Sequence, residues 1–206
     1  VWSYAFNHDE AIRCFDRALE LDPDLAIARW GVAYAIGPNY NKAWRMFDLA
    51  DMEIAIGIAS AALERARESS LNASPFERDL IEALIARYPR AATQDPEEFH
   101  GRNLAYAHAM RAFYQKYSDD MDAAALFADA LMCVSPRALW DLDTGEPVGY
   151  GTVEELQGEE AEKGIRLLLE HCRIQAEACP AEAMAVTAVH RVVLDEIAGK
   201  RRNLGD

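Results

Sequence analysis

The sequence predicts an all-α protein: a right-handed superhelical array of antiparallel helix pairs, with irregular repeats and about eight to nine helices. Capping signals precede most apolar segments, apolar residues recur at helical spacing, and no segment keeps the period-two alternation of a strand. The chain has 206 residues, 51% of them hydrophobic, which is enough for a substantial core. A stacked helical fold is therefore the expected class.

Capping boxes mark the expected helix starts, because a cap side chain and a carboxylate three residues later satisfy orphan backbone donors. Such pairs are Asn7 with Glu10, Ser74 with Glu77, Asp95 with Glu98, and Thr152 with Glu155. Proline also stands at the expected first helical residue at Pro23, Pro75 and Pro96. Together with the periodicity, these signals predict helices over residues 1–6, 9–21, 24–36, 47–69, 75–88, 96–117, 121–133, 153–178 and 181–199.

The predicted helices are of two kinds. Residues 9–21 carry one apolar stripe opposite a charged face, which is typical of a helix that buries one side. Residues 24–36 are apolar on both faces, and 121–133 repeats this pattern with Asp122 and Asp129 as its only charges. A helix that is apolar all round must be covered on several sides or must line a groove. Alternation of the two kinds is what stacked helical hairpins require.

Part of this pattern resembles a known repeat. Ala11, Phe15, Ala18 and Pro23 match the second helix and closing proline of a tetratricopeptide repeat at its spacing. The chain is also similar, over residues 1–147, to a microbial family of tetratricopeptide-containing proteins of poorly defined role. The segments that carry this similarity are 6–15, 37–41 and 139–147. The resemblance implies a solenoid whose inner helices line a concave groove for peptides or partner proteins.

Three segments are expected from this organisation. Residues 1–147 form the tetratricopeptide-like helical repeats, residues 152–199 form a C-terminal helical pair packing on the array, and residues 200–206 form a basic tail. The chain opens with Val1 and Trp2 rather than with methionine, which leaves open that it is a fragment of a longer protein.

Composition and motifs narrow the function. A net charge of −14 argues against a nucleic-acid partner, which needs a basic face. No apolar run reaches the roughly 18 residues of a membrane span, and four scattered cysteines without a C-x-x-C pair indicate reduced thiols in the cytoplasm. Phosphate-loop, nucleophile-elbow and zinc-ligand spacings are not found. We therefore expect no cofactor, no metal site and no catalytic residue, and a homo-oligomer is left open.

Candidate binding residues cluster around the second predicted helix. Trp30 and Tyr34 lie four residues apart, opposite the packing stripe, where they either face the groove or are covered as core. The loop 37–41 follows the same helix and offers polar side chains for ligand contact, with plain turn formation as the alternative. The six candidates are His8, Trp30, Tyr34, Asn39, Tyr40 and Asn41.

These observations predict a scaffold or adaptor that binds a peptide or partner protein in its groove. The alternative is a small-molecule enzyme or biosynthetic-pathway accessory protein that uses the same concavity, with Asp141 as a further polar group. An elongated groove favours the scaffold, whereas a pocket of a few hundred cubic ångströms with converging polar groups and a perturbed His8 favours the alternative.

Overall fold

A computed structural model describes residues 1–88, 92–138 and 143, together with the backbone of 152–156 and 189–193. The helices in this part of the chain are α1 (His8–Leu21), α2 (Ala26–Ile36), α3 (Leu49–Glu68), α4 (Pro75–Ile85), α5 (Pro96–Lys116) and α6 (Met121–Met132). Short 3₁₀ helices lie at Trp44–Met46 and Ser69–Asn72. Strands β1 (Thr152–Leu156) and β2 (Val189–Val193) complete the described elements.

The chain divides into two compact units. The first comprises Val1–Leu139 and Ile197–Asp206, and the second comprises Trp140–Glu196. In the first unit each helix packs against the next along the sequence, and α2 also packs against α4. The helical class is confirmed for residues 1–88 and 92–138, where six α-helices occur. The predicted basic tail, residues 200–206, lies outside the described residues.

Helix starts follow the capping signals closely. Ser74 and Glu77 form a complete capping box, with the Ser74 hydroxyl and the Glu77 carboxylate each accepting a backbone N–H. Asn7 accepts from the backbone N–H of Glu10 at 3.3 Å. At α5 the capping bond comes instead from the backbone N–H of Glu97, 3.0 Å from Asp95 Oδ1. Local hydrogen-bonding chemistry therefore fixes these ends.

Two expected starts are wrong. Pro23 was predicted as a first helical residue, but α2 begins at Ala26. The N–H of Leu25 donates to the Asp22 carbonyl at 3.2 Å, which closes a turn with Pro23 at its second position. Proline's fixed φ suits that position as well as a helix start, so the residue type alone could not decide. The predicted helix over residues 1–6 is a turn, with Phe6 at a positive φ of 56°.

The two strands also correct the sequence interpretation. β1 and β2 pair antiparallel, with Thr152 opposite Val193 and Leu156 opposite Val189. Helices were predicted there, from the Thr152–Glu155 capping pattern and from the segment 181–199. Both strands are rich in β-branched residues, which favour extended backbone when a partner strand is present. The other residues of the predicted helical pair lie outside the described part of the chain.

Helix α2 is covered on more than one side, which is one of the two alternatives that its apolar faces left open. Its buried residues are Ala26, Ala28, Trp30, Gly31, Val32, Ala33 and Ala35. At the α1–α2 contact, a Cβ on Gly31 would lie 2.4 Å from the Phe15 ring. A glycine is therefore needed because the aromatic side chain of α1 occupies the space directly above the α2 backbone.

Gly31→Ala is expected to destabilise the protein. The added methyl overpacks the Phe15 ring at a cost of roughly 1–3 kcal/mol, whereas alanine's better helix propensity returns only about 1 kcal/mol. The free energy of unfolding, measured by urea denaturation, should therefore fall. Adding Phe15→Leu should recover part of the loss. Gly57→Ala is the matched control, because a Cβ at Gly57 meets nothing within 4 Å and should be neutral or stabilising.

A cluster of aromatic side chains fills the core beyond α2. Trp44 is 1% exposed. Its ring centroid lies 6.2 Å from those of Tyr88 and Phe99 and 5.8 Å from that of Phe47. The Arg102 guanidinium lies over the same indole, 5.5 Å from its centroid. The connector between α2 and α3, which carried no predicted element, therefore supplies one of the largest buried side chains through a single 3₁₀ turn.

Candidate functional site

A cleft of about 420 Å³ lies where the start of α1 meets the loop after α2. We call it the rim cleft. Its polar lining residues are Asn7, His8, Asp9, Asn39, Asn41 and Lys42. Its apolar lining residues are Phe6, Ile12, Ala35 and Ile36, with Gly37 beside them. The volume lies in the range typical of ligand pockets.

The loop side of the rim cleft is held in shape by Asn39. Its Oδ1 accepts from the backbone N–H groups of Asn41 and Lys42, both at 2.9 Å, which is an Asx-type turn. The backbone N–H of Asn39 in turn donates to the Lys42 carbonyl at 3.0 Å. With the turn closed by its own backbone, the side chain of Asn41 remains exposed. The loop therefore presents an amide on a pre-formed support.

His8 occupies the opposite side of the rim cleft as the first residue of α1. Burial lowers its pKa below the ordinary 6.5, while Asp129, the Ala35 backbone and Asp9 oppose the shift without cancelling it. The imidazole is therefore neutral at pH 7, with one nitrogen as donor and the other as acceptor. Its electrostatic coupling to Asp129 joins the rim cleft to a group of polar side chains deeper in the unit.

This deeper group consists of Tyr34, Arg87, Tyr106, Asp129 and Cys133, and we call it the inner polar cluster. The Tyr34 hydroxyl donates to Asp129 Oδ2 at 2.9 Å. The Arg87 guanidinium is 1% exposed and lies over the Tyr106 ring, 4.9 Å from its centroid. The Cys133 thiol is 3.9 Å from Asp129 Oδ1. Residues from α2, α5, α6 and the turn after α4 thus converge.

Electrostatics in the inner polar cluster is dominated by burial. Burial raises the pKa of Asp129, and both the positive charge of Arg87 and the Tyr34 hydrogen bond oppose this shift. Burial and the neighbouring Asp129 also raise the pKa of the Tyr34 phenol. The pKa of the Cys133 thiol is raised to about 12, again mainly by burial, so this cysteine is a neutral thiol rather than a nucleophile.

Tyr34 and Asp129 combine strong desolvation with partial solvent exposure. Each keeps an intermediate fraction of its surface accessible, yet burial is the largest influence on both pKa values. Neither residue lines the rim cleft, so the pair is a partly accessible hydrogen bond beside the core.

The six sequence-predicted residues fall into two groups. His8, Asn39 and Asn41 meet at the rim cleft. Trp30 is 8% exposed and stacks on Tyr34 with ring centroids 5.0 Å apart, and neither residue lines that cleft. Tyr40 is half-buried and is also not among the lining residues. Asp141 lies outside the described residues.

Sequence reasoning missed Arg87, Tyr106 and Cys133 as members of a polar cluster. One signal was available at Asp129, because it is one of two charged residues on an otherwise apolar helix. A charge at such a position requires partners, and the partner helices could not be deduced without the packing. Arg87 gave no signal of its own, since it follows the last turn of α4 where basic residues are common.

Two kinds of site are not found in the described part of the chain. No group of three or more His, Cys, Asp or Glu side chains converges there as ligands for a metal ion. None of the helices there is both long and apolar enough to cross a membrane. The nearest approach to a zinc-ligand pattern in the sequence, His171 and Cys172 with Cys179, lies outside those residues.

Comparison with known proteins gives no relative. No family model matches the chain, no curated protein matches it, and no solved structure matches it.

Acid is expected to weaken the folded state through His8. Because burial lowers its folded-state pKa, the unfolded chain takes up the proton first as the pH falls below 6.5. The stability difference between wild type and His8→Gln should therefore shrink from pH 8 towards pH 5, with a slope below about 1.4 kcal/mol per pH unit. Urea denaturation at several pH values measures it. His108→Gln, at an exposed position of α5, is the matched control and should track wild type. A wild-type protein that gains stability over His8→Gln in acid would contradict the assignment.

Proposed function

We propose that this chain is a helical-repeat scaffold of the tetratricopeptide-like, superhelical kind, and that it binds a short segment of a peptide or partner protein in the rim cleft. One observation carries the proposal: three residues selected as binding candidates, His8, Asn39 and Asn41, line one cleft of about 420 Å³. The succession of helices that pack on their neighbours supports the array, and the free thiols Cys14 and Cys133 fit a cytoplasmic setting.

Recognition would use backbone-like chemistry. An extended segment presents alternating N–H and C=O groups, and amides such as Asn41 can both donate to and accept from them. His8 lines the other side of the rim cleft with the edge of its ring, because both of its ring nitrogens are covered. Ile12 and Ile36 supply apolar surface for one partner side chain. Because the chain carries a net charge of −14, neutral or basic partners are favoured over acidic ones.

Tyr34 and Asp129 extend the proposal below the rim cleft. Their partial exposure is compatible with ligand contact from the inner helices of the proposed array. Trp30, which is buried and stacked on Tyr34, would then support this pair rather than contact the ligand.

The second candidate function is that of a small-molecule enzyme or biosynthetic-pathway accessory protein. It is favoured by the three features expected of a small-molecule site: a volume of about 420 Å³, polar residues that converge from α1 and from the loop after α2, and the lowered pKa of His8. The scaffold is favoured by the succession of helices that pack on their neighbours. The two candidates differ in what they bind, and they share the same lining residues.

Selection from a random-sequence peptide display library, followed by calorimetry on a synthetic consensus peptide, tests the first candidate. Asn41→Ala should weaken binding by roughly fivefold, the value of one lost hydrogen bond. Asn72→Ala, at an exposed asparagine of the second 3₁₀ helix, should leave the affinity unchanged. If wild type and Asn41→Ala bound the peptide equally well, the peptide site would not be the rim cleft. Failure to select peptides, together with a thermal shift from a neutral metabolite panel that Asn41→Ala abolishes, would favour the second candidate.

A further inference from the structure

A second, smaller cleft lies beside the aromatic core of the first unit. It has a volume of about 170 Å³ and lies between the 3₁₀ helix Trp44–Met46, the start of α5 and the segment that follows α6. Trp44, Phe99 and Val134 give it apolar walls, and Asn103 lines it from α5. We call it the aromatic cleft. It shares no lining residue with the rim cleft.

Two lining side chains of the aromatic cleft carry polar atoms without a partner. Trp44 is 1% exposed and Asn103 is 6% exposed. The indole Nε1 of Trp44 and the amide Oδ1 of Asn103 are both buried and make no hydrogen bond. Buried polar atoms without a hydrogen bond are rare in folded proteins, because each one lowers the stability of the folded state. One is a donor and the other an acceptor, so together they are complementary to a group that both accepts and donates.

Charge gives a second indication of the ligand. The charged or titratable side chains among the described lining residues are Arg45 and His100, both exposed, and no carboxylate is among them. In a chain of net charge −14, this region is unusual in carrying no acid. The lack of a carboxylate disfavours a cationic ligand, and the two unpartnered atoms, a neutral donor and a neutral acceptor, match a neutral ligand.

Size and shape limit the ligand further. The volume is slightly larger than the roughly 150 Å³ engineered cavity that binds benzene in another protein. The rings of Trp44 and Phe99 are nearly parallel, at 10°, with centroids 6.2 Å apart, so a flat ligand lies at their edges rather than between their faces. Because the two polar atoms are covered, ligand entry requires a side chain to move, and we take Phe99, which is half-buried and stacks on Trp44, as that side chain.

We propose that the aromatic cleft binds a small, neutral, planar molecule, or the ring of a larger one, that carries a cis-amide (lactam) edge. The ligand C=O accepts from the Trp44 indole N–H, and the ligand N–H donates to Asn103 Oδ1. The ligand lies at the edge of the Trp44 indole, because the N–H points outward in the ring plane, and the apolar side chains of Phe99 and Val134 line the rest of its ring. No covalent chemistry is involved.

The test uses 2-pyridone as the probe, with N-methyl-2-pyridone and benzene as matched controls. Binding is followed by the indole N–H resonance of Trp44 in ¹H–¹⁵N spectra of the full chain, assigned with Trp44→Phe. We expect a saturable downfield shift with 2-pyridone. The N-methyl compound, which cannot donate to Asn103, should bind at least about tenfold more weakly. Benzene should bind without the downfield shift.

Asn103→Leu separates a ligand-binding role from a structural one. Leucine has nearly the same shape and removes the unpartnered acceptor, so the free variant should melt at the same temperature as wild type or higher, while 2-pyridone affinity falls at least about tenfold. Asn72→Leu at an exposed position should change neither quantity. Three results would overturn the proposal: no saturable shift at Trp44, equal binding of 2-pyridone by Asn103→Leu, or a lower melting temperature of that variant, which would give Asn103 a structural partner.

Discussion

Trp44→Ala should lower the free energy of unfolding by about 4 kcal/mol, the typical cost of truncating a buried tryptophan. The indole is 1% exposed and lies within ring-contact distance of Phe47, Tyr88 and Phe99. Its removal therefore opens a large cavity at the meeting point of α5, the turn after α4 and the connector after α2. Urea denaturation monitored by circular dichroism measures the change.

Trp2→Ala is the matched control for that substitution. Trp2 is 45% exposed, so its truncation should cost no more than about 0.5 kcal/mol. Trp44→Phe keeps an aromatic ring and should therefore lose much less stability than Trp44→Ala. If Trp44→Ala cost as little as Trp2→Ala, the aromatic cluster could not be part of the core.

Asp129→Ala is expected to cost about 2 kcal/mol, because it removes the acceptor of the Tyr34 hydroxyl, 2.9 Å from Asp129 Oδ2, and leaves that donor unsatisfied. Tyr34→Phe removes the other half of that bond and should cost about 1 kcal/mol, the typical net value of a hydrogen bond. The double variant should lose less than the sum of the two, since both substitutions break the same contact.

Two further variants separate charge from position on α6. Asp129→Asn keeps an acceptor for Tyr34 and should cost less than Asp129→Ala. Burial raises the pKa of Asp129, so its ionised form is already disfavoured and a neutral isostere is better tolerated. Asp119→Ala, at an exposed residue just before α6, should stay within about 0.5 kcal/mol of wild type. Additive losses in the double variant would show that Tyr34 and Asp129 act separately.

Much of the helical framework is local and was predictable. Ser74 with Pro75 and Asp95 with Pro96 give the starts of α4 and α5 within the sequence, because a cap and its acceptor lie within one turn. The helix start predicted at Pro23 was wrong, because the fixed φ of proline suits the second position of a turn as well as the first residue of a helix. The strands at Thr152–Leu156 and Val189–Val193 were missed because a strand is stabilised by its partner, here a distant segment.

The candidate site likewise contains residues that are close in the sequence and residues that only tertiary packing brings together. His8, Asn39 and Asn41 could be grouped because the end of α2 returns towards the start of α1 in a short helical hairpin. The connection of His8 to Asp129 could not be predicted, because the two residues lie on helices separated by most of the first unit's sequence. The same holds for Trp44 and Asn103, which come from a connector and from α5.

By itself the sequence determined the helical class, the ends of most helices and three of the residues that line the rim cleft, His8, Asn39 and Asn41. These depend on hydrogen bonds and side-chain periodicities that extend over a few turns of one chain segment. Only the tertiary structure decided which polar side chains become buried together, as Tyr34, Arg87 and Asp129 do, and where the paired strands form. The reason is physical: desolvation and strand pairing depend on the atoms that surround a residue, and segments far away in the sequence supply most of those atoms.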